Sequence, residues 1–372
     1  MTQFKSLIEK ANKQLNNKLP FTLFNLPDSP TIKSYFQLND TLLPTVDFSE
    51  DGFVFAPFNL EDTTILFKTE HCEVLEIPFS FSQSFSKASD VRTLEDNQAK
   101  GAHIKLVSDA VETIKQTDLS KVVLSRPIRH STEKSALVLF EELLQLYPSA
   151  FTYIWYHPKV GLWLGATPET LFQLNGQHFK TVALAGTKTD DKLLEDWGTK
   201  EIDEQEIVTT TIKKALSPFA RSITISEVET VKAGNILHLK TNLEGFLKPN
   251  TKLSAILSSL HPTPAVCGYP KDLAYSYITE KESYDRSFYT GFLGEINSGD
   301  INKNNTENLA YRKQRLSTKL FVNLRCLSML NDTVTIYVGG GITAESNPEL
   351  EFIETVRKSE TMLRALYINR SL

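Results

Sequence analysis

Two predicted helices each carry a pair of glutamates whose spacing places both carboxylates on one face. Glu351 and Glu354 are three residues apart, and so are Glu201 and Glu204. At about 100° per residue, each pair falls within about 60° of arc. If both pairs face one cavity, their like charges need a compensating cation. An all-oxygen ligand set, without Cys or His, favours a hard cation such as Mg²⁺.

The simpler interpretation of these pairs is a solvated helix surface. In the last helix Lys358 follows Glu354 at i,i+4, an exposed arrangement worth about 0.2–0.5 kcal/mol. The apolar residues Ile353, Val356 and Leu363 are predicted to lie on the opposite side. Acidic helix faces are common, and two of them need not meet. Spacing alone therefore leaves both interpretations open.

Three further ionisable residues stand in apolar or proline-constrained surroundings. Lys121 precedes Val-Val-Leu at the start of a predicted strand, where burial favours the neutral amine that a base requires. Glu169 follows a proline, and a desolvated carboxyl there could stay protonated as a general acid. Arg325 lies inside the apolar run 320–330, so it should meet a carboxylate of the protein or of a ligand. A solvated lysine, a surface glutamate and a structural ion pair are the corresponding alternatives.

Two motifs offer polar groups to a ligand. His261 opens the stretch His-Pro-Thr-Pro-Ala, and its ring could hydrogen-bond a ligand, although a lone histidine is more often a satisfied structural group. Residues 338–342 read Val-Gly-Gly-Gly-Ile after a predicted strand, and a glycine-rich turn there would bring backbone N–H groups close to an anion. The run lacks Gly-x-Gly-x-x-Gly and Gly-Lys-Ser/Thr, so nucleotide binding is poorly supported.

The elements that must position these residues are mostly strands. Helical spacing of apolar residues predicts helices at 99–115, 135–146, 200–216, 252–259 and 348–366. Apolar runs separated by short polar turns predict antiparallel strands, among them 121–124, 151–156, 160–164, 170–174, 180–185, 238–247, 291–295, 320–330 and 333–338. No β-α-β rhythm and no internal repeat is present. The predicted class is α+β, with large antiparallel β-sheets packed together and helices on the outside.

Composition excludes several classes of protein. The chain has 372 residues, of which 41% are hydrophobic and 23% charged, as in an ordinary globular protein. A net charge of −5 provides no basic excess for nucleic acid. The charged start, the lack of a long apolar run and three scattered cysteines predict a cytoplasmic protein with no membrane span, disulfide framework or structural zinc. No long apolar surface stripe is evident, so a monomer is expected.

The chain divides into two predicted parts. Residues 1–98 are punctuated by prolines between short apolar runs and are interpreted as a variable N-terminal part of the sheet scaffold. Residues 99–372 form the predicted catalytic region, within one compact two-layered unit. The segment 80–97 is interpreted as a linker. A polar stretch at 296–317, with the basic cluster 312–315, is interpreted as an exposed insertion, because loop-closure cost rises slowly with length.

Together, several motifs resemble those of the chorismate-utilising enzymes, and more closely the isochorismate synthases. They follow the family order over roughly the last three-quarters of the chain, which makes the set specific although each motif alone is weak. The matching stretches are Lys121-Val-Val-Leu-Ser-Arg126, Gly165-Ala-Thr-Pro-Glu169, Ala183-Leu-Ala-Gly-Thr187, His261-Pro-Thr-Pro-Ala-Val-Cys-Gly268, Tyr284-Asp-Arg-Ser-Phe-Tyr-Thr-Gly291, Phe321-Val-Asn-Leu-Arg-Cys326, Tyr337-Val-Gly-Gly-Gly-Ile342 and Glu351-x-x-Glu354-Thr-x-x-Lys358.

The resemblance implies a Mg²⁺-dependent isomerisation of chorismate to isochorismate. Water adds at ring carbon C2, the double bonds shift, and the C4 hydroxyl leaves. Lys121 stands at the position of the family's base, which activates the water. Glu169 stands at the position of the acid, which protonates the departing hydroxyl. These roles require a neutral lysine and a protonated glutamate at the same pH.

The resemblance also implies the contacts of metal and substrate. Glu204 and Glu354 carry over as metal ligands, with Glu201 and Glu351 as the second member of each pair. The ion would bind the ring carboxylate of chorismate. The residues that resemble those holding the enolpyruvyl carboxylate are Arg325, Tyr337, Lys358 and the backbone of Gly340 and Gly341. The residues that resemble the lining of the ring pocket are Gly186, Thr187 and His261.

Two alternatives stay open beside an isochorismate synthase. Salicylate synthases also carry the lysine at position 121 and go on to eliminate pyruvate, although their counterpart of the stretch after His261 usually reads differently. A catalytically silent chorismate binder is the second alternative. Enzymes that use ammonia, such as the anthranilate synthases, usually lack the lysine and match less well. The sequence leaves open whether the product feeds menaquinone or siderophore biosynthesis.

Overall fold

The computed structural model describes residues 2–59, 61–81, 97–189, 196–233, 236–299 and 316–368. Most of the predicted linker 80–97 and of the predicted insertion 296–317, including its basic cluster, lies outside these residues. In the described part of the chain, no helix is long and apolar enough to cross a membrane.

The predicted helices are all present, each within two residues of its predicted bounds. The α-helices of the described residues are α1 (Thr2–Asn16), α2 (Asn97–Gln116), α3 (Ala136–Leu146), α4 (Thr199–Leu216), α5 (Leu253–Leu260), α6 (Lys271–Lys281) and α7 (Pro348–Tyr367), with a 3₁₀ helix at Thr69–His71. Helices α1 and α6 were not predicted. At the start of α7, the Asn347 side chain accepts a hydrogen bond from the Leu350 N–H, and Pro348 occupies the first turn, where a missing N–H costs nothing.

The strands, numbered in chain order, form two sheets, and every pairing in the described residues is antiparallel. Sheet I has the order β14 (Gly268–Tyr269), β6 (Lys121–Ser131), β18 (Thr333–Ile342), β17 (Cys326–Leu330), β8 (Gly161–Thr167), β7 (Phe151–His157), β1 (Phe21–Asn25), β2 (Thr31–Gln37), β5 (Cys72–Pro78). Sheet II has the order β11 (Ala220–Ile225), β13 (Ile236–Leu247), β10 (His178–Thr189), β9 (Thr170–Asn175), β16 (Leu316–Val322), β15 (Phe292–Gly299), β3 (Gly52–Ala56), β4 (Ile65–Lys68), while β12 (Glu229–Ala233) pairs with β13.

The two sheets pack face to face over an aromatic core. Phe55 lies at its centre, with ring centroids 5.0 Å from Trp155 and 4.4 Å from Phe288. Apolar residues of α1, α3 and α7 cover the outer face of sheet I, and those of α4 and α5 cover sheet II. The predicted α+β class, with packed antiparallel sheets and outer helices, is confirmed. Large aromatic side chains suit such a core because each buries much apolar area.

The first 80 residues supply strands to both sheets. Strands β1, β2 and β5 extend one edge of sheet I, and β3 and β4 extend one edge of sheet II. This part of the chain therefore shares both sheets with the later strands. The predicted boundary at residue 98 stays a prediction.

Two of the places where the chain passes from one sheet to the other lie side by side. Strand β8 of sheet I ends at Thr167 and β9 of sheet II begins at Thr170, so residues 168–169 form one crossing. Residues 323–325 form the second, between β16 and β17. Two backbone hydrogen bonds join the crossings, from Ala166 N–H to Arg325 O at 3.1 Å and from Val322 N–H to Glu169 O at 2.9 Å.

The predicted single strand 320–330 is therefore wrong. Its apolar pattern continues through the crossing, but the backbone turns at Asn323, which is completely buried. The Asn323 amide donates to Phe288 O at 2.8 Å and accepts from the Tyr153 hydroxyl at 2.6 Å. These bonds satisfy a polar side chain that would otherwise be costly inside the core.

Candidate active site

An open cavity lies beside the two crossings. Its space is about 780 Å³, including the open mouth. Both crossings contribute to its wall, through Glu169 and Arg325, and sheet I contributes the end of β18. Most of the predicted site residues meet here: the lining includes Glu169, Gly186, Thr187, Glu204, Arg325, Tyr337, Gly340, Gly341, Glu354 and Lys358.

Glu169 is a buried carboxyl in the cavity wall, with an exposed fraction of 6%. Burial raises its pKa from 4.5 to about 7, although the positive charges of Lys121, Lys358 and Arg325 oppose the rise. Its fixed position comes from the crossing itself, whose backbone is bonded to Val322. A carboxyl with this pKa is still about half protonated at pH 7, where an ordinary glutamate is ionised, so it can serve as a general acid.

Arg325 enters the cavity from the second crossing. Its backbone has φ = 47°, a left-handed conformation that is uncommon for a residue with a side chain. One guanidinium nitrogen lies 3.5 Å from Nε2 of His238. Burial, together with Arg325 and Lys358, lowers the pKa of His238 to about 3, so its ring is neutral. The Arg325 guanidinium can therefore donate to Nε2 while Nδ1–H donates to Gly186 O, 3.0 Å away.

Gly186 contributes to the cavity wall through an irregular strand. The pairing of β10 with β13 shifts register between Ala185 and Thr187, which leaves Gly186 as a bulge with φ = 69°. A β-carbon there would lie 3.1 Å from the backbone and side chain of Glu201 in α4. Only glycine tolerates both the conformation and the close helix.

Lys121 begins β6 and is completely buried. Its Nζ lies 2.8 Å from Oε1 of Glu204, an ion pair without hydrogen-bond alignment, and Nζ has no hydrogen-bond partner among the described residues. Burial alone would raise the pKa of Glu204, but Lys121, Lys200 and Lys358 together lower it below its ordinary value. Lys121 lies behind the cavity wall, because its Cε is 3.0 Å from the position a β-carbon would take at Gly341.

The carboxylates of α7 lie beside the core stripe, which corrects the predicted separation of the two stripes. Glu351 is buried, with an exposed fraction of 3%, whereas Ile353 is 40% exposed. The buried stripe runs through Phe352, Thr355 and Met362 instead. Burial and the neighbouring Glu354 raise the pKa of Glu351. The helix thus turns its acidic pair toward sheet I.

The glycine run is a strand rather than the predicted turn. Gly339, Gly340 and Gly341 belong to β18 and pair with Ser125, Leu124 and Val123 of β6. Because these glycines have no side chains, they leave space beside the strand for the carboxylates of α4 and α7. A β-carbon at Gly340 would lie 3.5 Å from one oxygen each of Glu351 and Glu354, and one at Gly341 would collide with Glu204.

The surroundings of these glycines show whether the residues present could hold the implied Mg²⁺. Carboxylate oxygens of α4 and α7 approach the same strand end, and a β-carbon at Gly341 would take the space beside Glu204. Glu204 and Glu354 both line the cavity. Oxygen donors with this charge fit a hard divalent cation. The residues present therefore fit Mg²⁺ in donor type, in charge and in position beside the cavity.

Each of these carboxylates is paired with a lysine in the folded chain. Lys358 lies 2.7 Å from Glu354, and Lys200 lies 2.5 Å from Glu351. No three acidic groups of the described residues lie close enough to hold one ion together. Glu201 does not line the cavity, because its Oε2 turns toward Gly198 at the start of α4. A divalent cation would have to exchange with the lysines.

The structure does not bring His261 to this cavity. Its ring is buried, with Nε2 3.1 Å from Pro57 O and its face against the edge of Phe292. It borders a separate cavity between β3, β15 and α5. His261 therefore does not line this cavity, and its contact with the substrate ring stays a prediction. Ala265 and Val266, a few residues on, line the pocket instead.

Sequence reasoning missed several residues of the site. His238, Tyr289 and Thr290 line the cavity, and Lys200 pairs with Glu351. A histidine inside an apolar strand was a usable signal for His238, since a buried polar side chain needs a partner. Lys200 carried no signal, because a lysine at the start of a helix is ordinary.

Comparisons with known proteins agree with this architecture. The sequence profile of the chorismate binding enzymes matches residues 59–367. The vibriobactin-specific isochorismate synthase of Vibrio cholerae is 29% identical over 272 residues, which are 70% of this chain and 65% of that protein. Isochorismate synthase DhbC of Bacillus subtilis is 30% identical over 285 residues, 71% of this chain and 67% of that one. The match thus spans about two thirds of the length of these relatives.

The fold is shared over nearly the whole chain with a solved structure. The crystal structure of the 2,3-dihydroxybenzoate-specific isochorismate synthase DhbC from Bacillus anthracis superposes with a TM-score of 0.75 at 24% identity, covering 98% of this chain and 100% of that one. Since the profile match extends over most of the sequence and the described strands carry the corresponding motifs, the chain belongs to the chorismate binding enzyme family.

Proposed function

We propose that the protein is an isochorismate synthase that converts chorismate to isochorismate. The observation that carries the proposal is Glu169, a buried carboxyl with a pKa of about 7 in a cavity that also presents Arg325 and Lys358. A dicarboxylate substrate suits two cations, and an acid of this pKa suits a departing hydroxyl. The names of the relatives in Vibrio cholerae and Bacillus subtilis support the same reaction.

The proposed reaction balances with one base and one acid. Lys121 takes a proton from water as its oxygen bonds to C2 of the ring. The double bonds shift, the C4–O bond breaks, and Glu169 gives its proton to the departing hydroxyl, which leaves as water. In the folded chain Nζ of Lys121 lies 2.8 Å from Oε1 of Glu204. The proposal therefore requires this pair to separate in the substrate complex.

Mg²⁺, when bound, would supply positive charge for the ring carboxylate. Glu204 and Glu354 are the residues proposed to hold it, with Glu201 and Glu351 as supporting members of each pair. Arg325 and Lys358 are proposed to bind the enolpyruvyl carboxylate, together with Tyr337 and the backbone at Gly340 and Gly341. A monomeric state and the cytoplasm, both expected from the sequence, stay part of the proposal.

The test is an analysis of products. Purified protein with Mg²⁺ and chorismate should yield isochorismate without pyruvate, measured by chromatography and a coupled pyruvate assay. Stoichiometric pyruvate together with salicylate would identify a salicylate synthase instead. Thermal stabilisation by chorismate without any turnover would identify a silent binder.

The pH dependence should report Glu169. Since the acid must carry a proton, and burial places its pKa at about 7, kcat/KM is expected to fall tenfold per pH unit above about pH 7. Below that pH the group is protonated and does not limit the rate. Initial rates of isochorismate formation from pH 5.5 to 9 would measure this. A profile that stays level to pH 9 would contradict the assignment of the acid.

A further inference from the structure

Lys200 is a charged residue that the proposed reaction does not use. It is the second residue of α4, and its Nζ lies 2.5 Å from Oε1 of Glu351 at the start of α7. The Glu351 side chain is only 4% exposed and that of Lys200 is 25% exposed. The pair thus joins the helix that covers sheet II to the helix that covers sheet I, at the acidic end of both.

The charge of Lys200 acts on all three neighbouring carboxylates. Glu351 is its ion-pair partner, and Glu354 and Glu204 also interact with its charge. Lys200 therefore lies within the field of the carboxylates that approach the glycines of β18. It does not line the cavity, in contrast to Lys358.

The lysines beside these carboxylates differ in what else they do. Lys121 has the proposed role of base, and Lys358 both lines the cavity and donates to Gly339 O at 3.0 Å. Lys200 has Glu351 as its hydrogen-bond partner at the site. If Lys200 and a divalent cation bound the same carboxylate pair at once, the two positive charges would repel each other at short range.

We propose that Lys200 is a built-in counter-cation that neutralises Glu351 of the acidic pair of α7 until a divalent cation displaces it, and so helps to set the affinity of the site for that cation. The inference rests on the metal site of the proposed function. In the metal-free chain Lys200 neutralises buried Glu351 and ties α4 to α7. In the metal-bound chain it moves away from Glu351, and the energy of the broken pair is subtracted from the binding energy of the metal.

The sign of the effect follows from charge. Replacing Lys200 with methionine keeps most of the aliphatic length but removes one positive charge beside three carboxylates. The divalent cation then meets a more negative site with one competing lysine fewer, so Mg²⁺ should bind about 10-fold more tightly, within the usual range for coupled sites. The same change leaves Glu351 buried without its partner, so the metal-free protein should melt at a lower temperature.

The experiment measures Mg²⁺ binding without substrate. The full chain and its Lys200→Met and Lys200→Arg variants are titrated with Mg²⁺ by calorimetry, and their melting temperatures are recorded with and without Mg²⁺. The control is Lys105→Met on α2, an exposed lysine paired with Asp109. We expect tighter binding and a lower metal-free melting temperature for Lys200→Met only, with Lys200→Arg and the control close to the unmodified protein.

Two results would overturn the inference, and they differ from each other. Unchanged or weaker Mg²⁺ binding by Lys200→Met, with normal binding by the unmodified chain, would make Lys200 a structural residue only. Absence of Mg²⁺ binding in every protein would instead remove the metal site of the proposed function and the inference with it. If Lys200→Met does not fold, Lys200→Gln, which retains a polar contact to Glu351, provides the same comparison.

Discussion

Replacement of Lys121 by methionine is expected to lower kcat for isochorismate formation by about 10²–10⁴-fold, the usual contribution of a positioned base. Methionine fills much of the buried volume but cannot accept a proton from water. Chorismate should still bind in the presence of Mg²⁺, because Arg325 and Lys358 are untouched. The measurements are steady-state turnover and the shift in melting temperature that chorismate produces.

A second variant separates the base from the ion pair. Arginine at position 121 keeps a positive charge toward Glu204 but cannot lose its proton in the neutral range. If Lys121 matters only as a partner of Glu204, Lys121→Arg should retain activity. If it is the base, Lys121→Arg should be as inactive as Lys121→Met while unfolding at a higher temperature, because the carboxylate of Glu204 keeps its counter-ion. Lys180→Met, at an exposed lysine of sheet II, is the matched control.

Local patterns in the sequence were sufficient for the fold class and most helices. The apolar periodicity of α4 and α7 is set by the faces they bury, so it is visible in the residues themselves. The amphipathic helix α1 shows the same periodicity, with Leu7 and Ala11 buried, although it was not among the predicted helices. Helices and strands can be predicted in this way because the spacing of apolar residues along the chain follows directly from the sequence.

The site depended on contacts that no spacing reveals. Glu169 and Arg325 face one cavity because two crossings between the sheets lie side by side, and the apolar run 320–330 gave no sign of its crossing. His261 belongs to a motif typical of the family, yet its ring turns to Pro57. The pairing of Lys200 with Glu351 joins residues 151 positions apart. Motif matching located the stretches, and packing decided which side chains face the cavity.

Replacement of Glu169 by glutamine is expected to abolish activity and to stabilise the fold at alkaline pH. Glutamine has nearly the same shape but no proton to give to the departing hydroxyl, so kcat should fall by about 10²–10⁴-fold. It also cannot become a buried anion. Mg²⁺-dependent binding of chorismate should survive, since the amide resembles the protonated carboxyl. Full activity of Glu169→Gln would overturn its assignment as the acid.

The stability change has a definite sign and pH range. Burial raises the pKa of Glu169 from 4.5 to about 7 in the folded chain, so the folded state holds its proton more tightly than the unfolded state. Its contribution to the free energy of unfolding is greatest below about pH 4.5, and it is lost as pH rises to 7. At pH 8 this loss lowers the free energy of unfolding by about 3 kcal/mol, at 1.36 kcal/mol per unit of difference between the folded and unfolded pKa.

Glutamine removes this loss, so denaturant unfolding at pH 8 should show Glu169→Gln to be more stable than the unmodified protein, by up to about 3 kcal/mol. Below about pH 4 the two proteins should be nearly equal, because the carboxyl is then protonated in both the folded and the unfolded chain. Glu206→Gln, at an exposed residue of α4, should show neither effect. The predictions for activity and for stability have one cause. Burial keeps on Glu169 the proton that the reaction needs, and the same burial makes ionisation of Glu169 destabilise the fold. Equal stabilities at pH 8 would mean that Glu169 is not desolvated, and a desolvated acid is what the proposed chemistry requires.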